Sequence, residues 1–293
     1  MICAGIDIGG TQIKAAAFDD EGRVVAQVLA SGEALCGNGW RESVRAALSD
    51  LEKECGRPLE RAGIAAPGLP SRDGRSIRDM PGRLAGLVGL NWTEFLSRRF
   101  PVPVLNDAQA ALLGEVWCGA AKGAQDCVML TLGTGVGGAA MSGGRLLTGH
   151  LGRAGHLGHI SLDPEGRPDI VHTPGSLEDA IGNHNIGARS GGRFTMTRDL
   201  LAAVAAGDAE AAGVWLRSVR ALAAGIVGLV NVLDPEVVIL GGGIMAAGDA
   251  LTVPLLARME EIEWRPDGVA VRLVAAALGE MAGACGAAAA ARG

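Results

Sequence analysis

Two segments of the chain repeat one pattern, in which an apolar run is followed by a glycine-rich turn and a second apolar run. The runs lie at residues 2–8 and 13–18 around Gly9-Gly10-Thr11, and at 127–132 and 139–141 around 133–138. Short apolar runs bounded by glycine are typical of β-strands joined by a turn. The turns begin 124 residues apart, at Gly9 and Gly133. This indicates a duplicated β-hairpin unit in two related lobes, with two unrelated glycine-turn hairpins as the alternative.

Helices and strands alternate along the rest of the chain. Apolar residues at helical spacing predict helices over 41–55 and 213–233. The alanine-rich stretch 275–292 predicts a further helix that packs on the body, and 61–66 and 236–240 are predicted strands. Alternation of this kind defines an α/β fold class.

Composition excludes several classes of protein. The chain has 293 residues, which suggests about two domains of roughly 150 residues each. Hydrophobic residues make up 48% and charged residues 20%, so the chain is not a disordered one. With 26 basic and 32 acidic residues the net charge is −6, which argues against a nucleic-acid partner.

The expected location is the cytoplasm, away from membranes. Asp7 interrupts the first apolar run, so the sequence predicts no signal peptide. The six cysteines never form a C-x-x-C pair, and they are expected to be reduced and buried. The most apolar segment, 221–233, is expected to be too short to span a bilayer.

Glycine-rich turns follow predicted buried strands at three places, Gly9, Gly133 and Gly241. Because glycine has no Cβ, backbone N–H groups in such turns can converge on an anion, so the turns predict contacts to one phosphorylated ligand. Gly133-x-Gly135-x-x-Gly138 also matches the dinucleotide fingerprint, which opens a helix and has an acidic residue about 20 positions later. Here the glycines lead into a strand, and no acidic residue occurs between Gly138 and Asp163. The dinucleotide alternative is therefore disfavoured.

Two aspartates stand where strands end. Asp7 lies in an apolar strand before the first glycine turn; a buried carboxylate there is costly unless it serves a cation such as Mg²⁺, held through water. The alternative is an exposed aspartate on an edge strand. Asp107 follows the predicted strand 103–105 and starts a helix. It is equally well explained as a helix N-cap or as a general base.

Four motifs occur in a characteristic order: Asp7-Ile-Gly-Gly-Thr11, Leu105-Asn-Asp-Ala108, Gly133-Thr-Gly-Val-Gly-Gly138 and Gly155-His-Leu-Gly-His159. The ordered set resembles the ROK family (repressors, open reading frames, kinases) of sugar kinases, which belongs to the actin/hexokinase/Hsp70-like ATPase superfamily. The resemblance extends over nearly the whole chain, through 234–243 to 278–283.

The resemblance implies a two-lobed α/β fold of the actin-like ATPase (ribonuclease H-like) type, with duplicated β-hairpin units and a central cleft for ATP and sugar. Residues 1–105 would form the N-terminal lobe, with the C-terminal helix 278–293 packed back on it. Residues 106–277 would form the C-terminal lobe, with the second phosphate hairpin, the sugar loop and the adenosine turn.

The resemblance also assigns roles to individual residues. ATP would be bound by both glycine turns and by the turn that borders the adenosine: Asp7, Gly9, Gly10, Thr11, Thr134, Gly135, Gly137, Gly138, Gly241, Gly242 and Gly243. The sugar would be bound by Asn106, His156, His159 and Glu178. Asp107 would take the proton from the attacking hydroxyl, and phosphoryl transfer needs little beyond this base, Mg²⁺ and alignment.

The chain departs from the family pattern at one sugar-binding position. The pattern there is Ala-Gly-Glu-x-Gly-His, and this chain has His156 in place of the glutamate. A neutral imidazole accepts one hydrogen bond where a carboxylate accepts several. His156 therefore puts the choice of sugar in question.

A second departure concerns zinc. The family motif C-x-C-G-x-x-G-C-x-E falls on 169–178, where Asp169, Val171 and Ser176 stand at the three thiolate positions. A Cys₃His zinc site cannot form from these residues with His159, so the family's zinc site is predicted to be absent. All five histidines lie between His150 and His184, and a sugar-binding surface explains them better than a replacement metal site.

The leading hypothesis is an ATP-dependent, glucokinase-like sugar kinase that uses Mg²⁺ and acts on a hexose. The alternatives are a kinase for another hexose, an amino sugar or a cyclic polyol selected by His156, and a sugar sensor without turnover. The family leads us to expect a homodimer. No nucleic-acid partner is expected, because the first hairpin starts at Ile2, where repressor members carry a DNA-binding domain.

Overall fold

The structure is a computed structural model that describes residues 1–9, 12–31, 39–80 and 84–293. It contains two compact units. The first consists of Met1–Gly123, Leu147–Ala154 and Ala276–Gly293, and the second of Ala124–Leu146 and Gly155–Ala275.

The first unit contains both strands and helices. Its strands are β1 (Cys3–Ile8), β2 (Gln12–Phe18), β3 (Val24–Ser31), β4 (Ala62–Ala65), β5 (Leu69–Pro70), β6 (Ile77–Asp79) and β7 (Val104–Leu105). Its helices are α1 (Gly39–Glu54), α2 (Trp92–Phe95), α3 (Asp107–Cys118) and α9 (Ala282–Arg292).

The second unit contains the remaining elements. Its strands are β8 (Cys127–Leu132), β9 (Val136–Ser142), β10 (Arg145–Leu146), β11 (Val237–Gly241) and β12 (Arg272–Ala275). Its helices are α4 (Leu177–Ile181), α5 (Ile186–Arg189), α6 (Thr197–Ala205), α7 (Ala209–Leu233) and α8 (Asp249–Ile262).

The main sheets of the two units have the same topology. The strand orders are β3-β2-β1-β4-β7 and β10-β9-β8-β11-β12. In each sheet an antiparallel hairpin is flanked on one side by a third antiparallel strand and on the other by two parallel strands. The duplicated hairpin unit predicted from the sequence is confirmed.

Strand β1 packs on both faces because its side chains alternate. Ala4, Ile6 and Ile8 belong to a buried apolar cluster that also contains the α1 residues Trp40 and Val44. The intervening positions, Cys3, Gly5 and Asp7, face the other way, toward α9, since side chains of a strand alternate between faces.

Helix α9 lies unusually close to its neighbours, which explains its alanine- and glycine-rich sequence. A Cβ atom on Gly5 would lie 1.7 Å from the carbonyl oxygen of Ala284, and one on Gly286 would lie 1.6 Å from that of Ala110. Larger side chains at these places would force the helix away from β1 and α3. A low-complexity composition here reflects close packing.

The C-terminal tail differs from its prediction. The predicted helix 275–292, and the C-terminal helix placed at 278–293, are wrong at their start, because Ala275 ends strand β12 and α9 begins only at Ala282. The segment between them is held by the buried carboxylate of Glu115, whose Oε1 accepts hydrogen bonds from the N–H groups of Ala277 and Leu278 at 2.9 and 2.8 Å. These hydrogen bonds hold the two residues that come before the 3₁₀ turn Gly279–Met281, which leads into α9.

The first unit extends beyond the predicted boundary at residue 105, because it includes α3 and continues to Gly123. Helix α3 packs directly on α9, which explains why the two belong to one unit. The functional division into lobes 1–105 and 106–277 stays a prediction.

Helix α7 is the principal helix of the second unit and has 25 residues, Ala209–Leu233. It is the one helix among the described residues that is long and apolar enough to cross a membrane by length and composition. The expectation that the most apolar segment is too short to span a bilayer is therefore wrong, because 221–233 is only the second half of this helix. Buried residues such as Leu222 and Ile226 place one face of α7 in the core.

Candidate active site

Asp7 and Asp107, the two aspartates singled out in the sequence, interact electrostatically in the first unit. Asp7 is half-buried on β1, a strand paired on both sides, so the edge-strand alternative is wrong. A Cβ on Gly283 would lie 2.6 Å from its Oδ2. Burial and the charge of Asp107 raise the pKa of Asp7 from 3.8 to about 7, although Lys14 acts in the opposite direction.

Asp107 is accessible to solvent, as a group that meets a substrate must be. Desolvation by the surrounding protein nevertheless raises the pKa of its carboxyl. Two such carboxylates repel each other unless one takes up a proton or a cation neutralises them. The arrangement therefore suits a cation site next to a base.

The helix N-cap of α3 is Asn106, so the alternative that explained Asp107 as the cap is wrong. The Asn106 Oδ1 atom accepts a hydrogen bond from the N–H of Ala108 at 3.0 Å, and Gln109 completes a capping box. The Asn106 amide also donates to the carbonyl of Gly68 at 3.0 Å. Asp107 is the first residue of the helix, and its carboxylate has no partner side chain among the described residues.

The first glycine turn is described only in part. Gly10 and Thr11, both predicted ATP contacts, lie outside the described residues. Gly9 donates a backbone hydrogen bond to the carbonyl of Gln12 at 2.9 Å, which closes the turn between β1 and β2. In the second turn Gly133 likewise donates to the carbonyl of Gly135 at 2.9 Å.

The second glycine turn is shorter than predicted. Gly137 and Gly138 lie in β9, paired with Thr131 and Leu130, because the chain re-enters the sheet at Val136. The turn itself is 133–135, so the part of the prediction that placed Gly137 and Gly138 in the turn is wrong.

Residues of α4 and of the turn that follows it hold this second turn. Glu178 Oε2 accepts a hydrogen bond from the N–H of Val136 at 2.8 Å. The Nδ1 atom of His184 lies 2.9 Å from the carbonyl oxygen of Thr134, and its Nε2 lies 2.9 Å from Asp179. Burial opposes a charge on His184, but these hydrogen bonds outweigh it and raise its pKa.

A cavity of about 850 Å³ lies in the second unit beside the second glycine turn. Residues from the turn, from the start of α6 and from the segment after β11 line it, among them Gly133, Thr134, Thr197, Gly243, Ile244 and Ala246. The predicted phosphate turn and the predicted adenosine turn thus meet in one cavity.

The glycines after β11 are needed for different reasons. Gly241 is the buried last residue of β11. Gly242 has φ +90°, and a Cβ on it would lie 2.3 Å from the carbonyl oxygen of Leu132. Gly243 alone of the three lines the cavity.

Sequence reasoning missed the residues of α6 in the cavity. The buried hydroxyl of Thr197 has no hydrogen-bond partner in the part of the chain that the structure describes. Thr197 starts α6 after Met196, which provides no side-chain cap, and no glycine marks the position. The sequence therefore carried no signal for it.

The predicted sugar-binding histidines are neighbours in the second unit. His159 ends a 3₁₀ turn, Leu157–His159, and His156 precedes that turn. Burial, with a further contribution from His159, lowers the pKa of His156. The His156 imidazole is therefore neutral at pH 7.

The residues at the predicted zinc positions do not fit the metal. Val171 offers no ligand atom, and the Asp169 carboxylate accepts hydrogen bonds from His159 and from the Val171 and Thr173 N–H groups. Within 1–9, 12–31, 39–80 and 84–293 no group of three or more His, Cys, Asp or Glu is arranged to hold a metal ion. Absence of zinc from the protein itself stays a prediction.

The duplicated sheets and glycine turns define a member of the actin-like ATPase fold. A model of the ROK family matches residues 3–293. The chain belongs to the ROK family.

Relatives of known name match over nearly their full length. The chain is 32% identical to a glucokinase of Thermotoga maritima, over 97% of this chain and 95% of that one. It is 33% identical to an N-acetylmannosamine kinase of Escherichia coli, over 100% and 99% of the two chains.

Solved structures agree with this. A ROK hexokinase from Thermus thermophilus superposes with a TM-score of 0.89 at 33% identity, covering 100% of this chain and 98% of that one. A ROK glucokinase from Streptomyces griseus in complex with glucose and AMPPNP gives a TM-score of 0.78 at 27% identity, with 100% and 99% covered.

Proposed function

We propose that this protein is an ATP-dependent sugar kinase that transfers the γ-phosphate of ATP to a hydroxyl of a hexose. The observation that carries the proposal is the Asp7–Asp107 pair. Asp107 is an accessible carboxylate with a raised pKa at the end of a strand, and its neighbour Asn106 caps the helix in its stead. A carboxylate at this position that does not cap the helix is suited to general-base catalysis.

In the proposed reaction Asp107 accepts the proton of the attacking sugar hydroxyl. The hydroxyl oxygen bonds to the γ-phosphorus as the bond to the β,γ-bridging oxygen breaks, and ADP leaves. Because the transition state for phosphoryl transfer is loose, alignment and charge neutralisation supply most of the rate. A raised pKa brings Asp107 nearer to the operating pH, which favours proton transfer.

ATP binding is supported by the cavity beside the second turn. Its volume of about 850 Å³ lies within the 300–1,000 Å³ usual for small-molecule sites. The backbone of 133–135 would contact phosphates, and Gly243 and Ile244 would border the adenosine. The glucokinase from Streptomyces griseus that was solved with AMPPNP supports this ligand class.

The residues present fit Mg²⁺ at Asp7. An aspartate with a pKa raised to about 7 beside a second carboxylate is a destabilised anion, and a bound cation would relieve it. Oxygen ligands of this kind suit Mg²⁺, which is commonly held by one or two carboxylates together with substrate phosphates. When bound, Mg²⁺ neutralises charge on the phosphates.

Two substrate classes are supported by the relatives. A glucokinase and an N-acetylmannosamine kinase match at nearly equal identity, 32% and 33%. We propose a glucose-like hexose as the first candidate, bound through Asn106, His159 and Glu178. An amino sugar is the second candidate, because His156 removes a carboxylate that would otherwise accept hydrogen bonds from sugar hydroxyls.

A cytoplasmic homodimer that binds neither nucleic acid nor membrane completes the proposal, on the strength of the family resemblance and the acidic charge. Light scattering on the purified chain would test the dimer, since a monomer at assay concentration would contradict it. A sensor without turnover is the alternative function, and the two aspartates count against it, because binding alone requires neither.

The deciding experiment measures ADP release from Mg-ATP over a panel of hexoses, amino sugars and inositols. The expected result is turnover on at least one sugar, and an approximately 10²- to 10⁴-fold loss of kcat in Asp107→Asn. Asp163→Asn is the matched control, since Asp163 caps an exposed turn through the N–H of Glu165. ATP and sugar binding without turnover on any member of the panel would overturn the kinase in favour of the sensor.

A further inference from the structure

The carboxylate of Asp169 joins all the positions at which the family motif places zinc ligands. Its Oδ2 atom lies 2.8 Å from Nδ1 of His159. Its Oδ1 atom accepts a hydrogen bond from the N–H of Val171 at 2.9 Å, and the hydroxyl of Ser176 also bonds to the carboxylate. The Asp169 side chain has 0% of its surface exposed. One buried carboxylate thus contacts the residues at the other three ligand positions of the family motif.

This carboxylate is ionised. Burial alone would raise the pKa of Asp169, but the hydrogen bonds from His159, Thr173, Ser176 and Val171 outweigh burial and lower it. An ionised carboxylate can only accept hydrogen bonds. The proton shared with His159 must therefore be on the Nδ1 atom of the imidazole.

Protonation of Nδ1 decides the character of the other ring nitrogen. In neutral imidazole one nitrogen donates and the other accepts, so Nε2 of His159 is an acceptor. Nε2 has no hydrogen-bond partner among the described residues. It is free to accept a hydrogen bond from a donor group of a ligand, and a sugar hydroxyl is such a donor.

We propose that Asp169 is a positioning residue, which replaces zinc by fixing the ring of His159 and holding Nε2 as an acceptor for a sugar hydroxyl. The inference rests on the proposed kinase function for the identity of the ligand, but not for the tautomer. A carboxylate that accepts a hydrogen bond from one ring nitrogen of a histidine fixes both the tautomer and the orientation of the ring. The loop therefore keeps the family's sugar contact without its metal.

His184 in the same unit provides an internal contrast. Both of its ring nitrogens face acceptors, since Nδ1 meets the carbonyl of Thr134 and Nε2 meets Asp179. Two acceptors favour the doubly protonated ring, and these hydrogen bonds raise the pKa of His184. The two histidines thus differ in their second partner, since Nε2 of His159 meets no acceptor among the described residues.

The test is nitrogen NMR on ¹⁵N-histidine-labelled protein at pH 8, in which the chain's five histidines give few signals. We expect His159, assigned by the loss of its signals in His159→Gln, to show a protonated Nδ1 and a bare Nε2. A proton on Nε2 of native His159 would overturn the proposal.

Asp169→Asn provides a second arm. Its amide oxygen would keep the hydrogen bonds from the Val171 and Thr173 N–H groups, which turns its NH₂ group toward His159. Nδ1 must then accept, so the proton moves to Nε2 and the tautomer reverses. Asp163→Asn, in the same loop but without a histidine partner, should leave the His159 signals unchanged. An unchanged tautomer in Asp169→Asn would also overturn the proposal.

The kinetic arm separates positioning from general support of the fold. In Asp169→Asn the Nε2 atom becomes a donor, so we expect the KM for the sugar to rise about tenfold or more, from one mismatched hydrogen bond, while the KM for ATP is unchanged. Equal losses for both substrates would mean a structural role and overturn the proposal. If native protein turns over no sugar, the tautomer measurements still decide the role of Asp169, so failure of the kinase function is recognised separately.

Discussion

The side chain of Glu178 is hydrogen-bonded to the backbone of Val136, with 2.8 Å between Oε2 and the amide nitrogen. Glu178 is a predicted sugar ligand, and Val136 follows directly on the turn predicted to bind phosphate. One of its two carboxylate oxygens thus holds the turn while the other is left for a ligand. Movement of the Glu178 side chain on sugar binding would be transmitted to the phosphate turn through this hydrogen bond.

The contact leaves no room for a side chain at Gly135 unless the Glu178 carboxylate moves off the Val136 N–H. A Cβ there would lie 2.3 Å from Glu178 Oε2, whereas a Cβ on Gly133 would meet nothing within 4 Å. We expect Gly135→Ala to lower the free energy of unfolding by about 1–3 kcal/mol through overpacking. Gly133→Ala, the control in the same turn, should change it by less than about 0.5 kcal/mol. Urea denaturation of both variants measures the difference.

A double-mutant cycle tests the cause. If the clash with Glu178 destabilises Gly135→Ala, the alanine should be less harmful in a Glu178→Ala background, with a coupling of about 0.5 kcal/mol or more. Additive effects of the two substitutions would show that Gly135 is required for another reason.

Asp7 should make stability depend on pH. Its folded-state pKa of about 7 is above the usual 3.8, so its contribution is present below pH 3.8 and is lost as pH rises to 7. We expect Asp7→Asn to have a higher Tm than the native chain at pH 8, by roughly 2–4 °C for each kcal/mol that the ionised Asp7 costs the folded state. The gain should be small at pH 4, grow to pH 7 and then stay constant.

Melting curves of both proteins across pH 4–8, without nucleotide or magnesium, provide the measurement. Asp126→Asn is the control, because the Asp126 carboxylate is accessible and bonds to Ser142 and Gly143. A gain for Asp7→Asn that does not vary with pH would contradict a raised pKa of Asp7.

Much of the fold could be predicted because local signals and the fold agree. Glycine-bounded apolar runs identified the hairpins β1–β2 and β8–β9, and the Asn106–Asp107 pair marked the start of α3. Such signals are carried by residues adjacent in sequence. The family resemblance then ordered them.

The features that the sequence did not reveal depend on distant partners. Glu115 on α3 holds Ala277 and Leu278 and so delays the start of α9. Thr197 reaches the cavity only through the packing of α6. Neither residue differs from its neighbours in spacing or composition, so no local pattern could single it out.

The cavity of the second unit should determine the affinity for ATP. Ala246 lines it, is accessible, and carries a small side chain. We expect Ala246→Trp to fill part of the cavity. Because ATP would lose a few apolar contacts there, its KM should rise about tenfold or more. The KM for the sugar should stay within about twofold, because no predicted sugar ligand lines the cavity.

Steady-state kinetics with each substrate varied in turn make the comparison. Leu216→Trp is a matched control, since Leu216 is an exposed residue of α7 outside the cavity. An unchanged KM for ATP in Ala246→Trp would place the nucleotide elsewhere.

His156 should set the preference between sugars. Burial lowers the pKa of His156 and so keeps its imidazole neutral, which means that it offers a hydroxyl at most one acceptor. We expect His156→Glu to raise kcat/KM for glucose relative to N-acetylmannosamine by about tenfold, through the restored carboxylate acceptors.

His156→Gln tests whether the charge is needed, and His150→Glu applies the same substitution to an exposed histidine. The comparison is the ratio of kcat/KM values for the two sugars in each variant, and the ratio should change only in His156→Glu and, less, in His156→Gln. The same ratio in all of these proteins would remove His156 as the determinant of specificity.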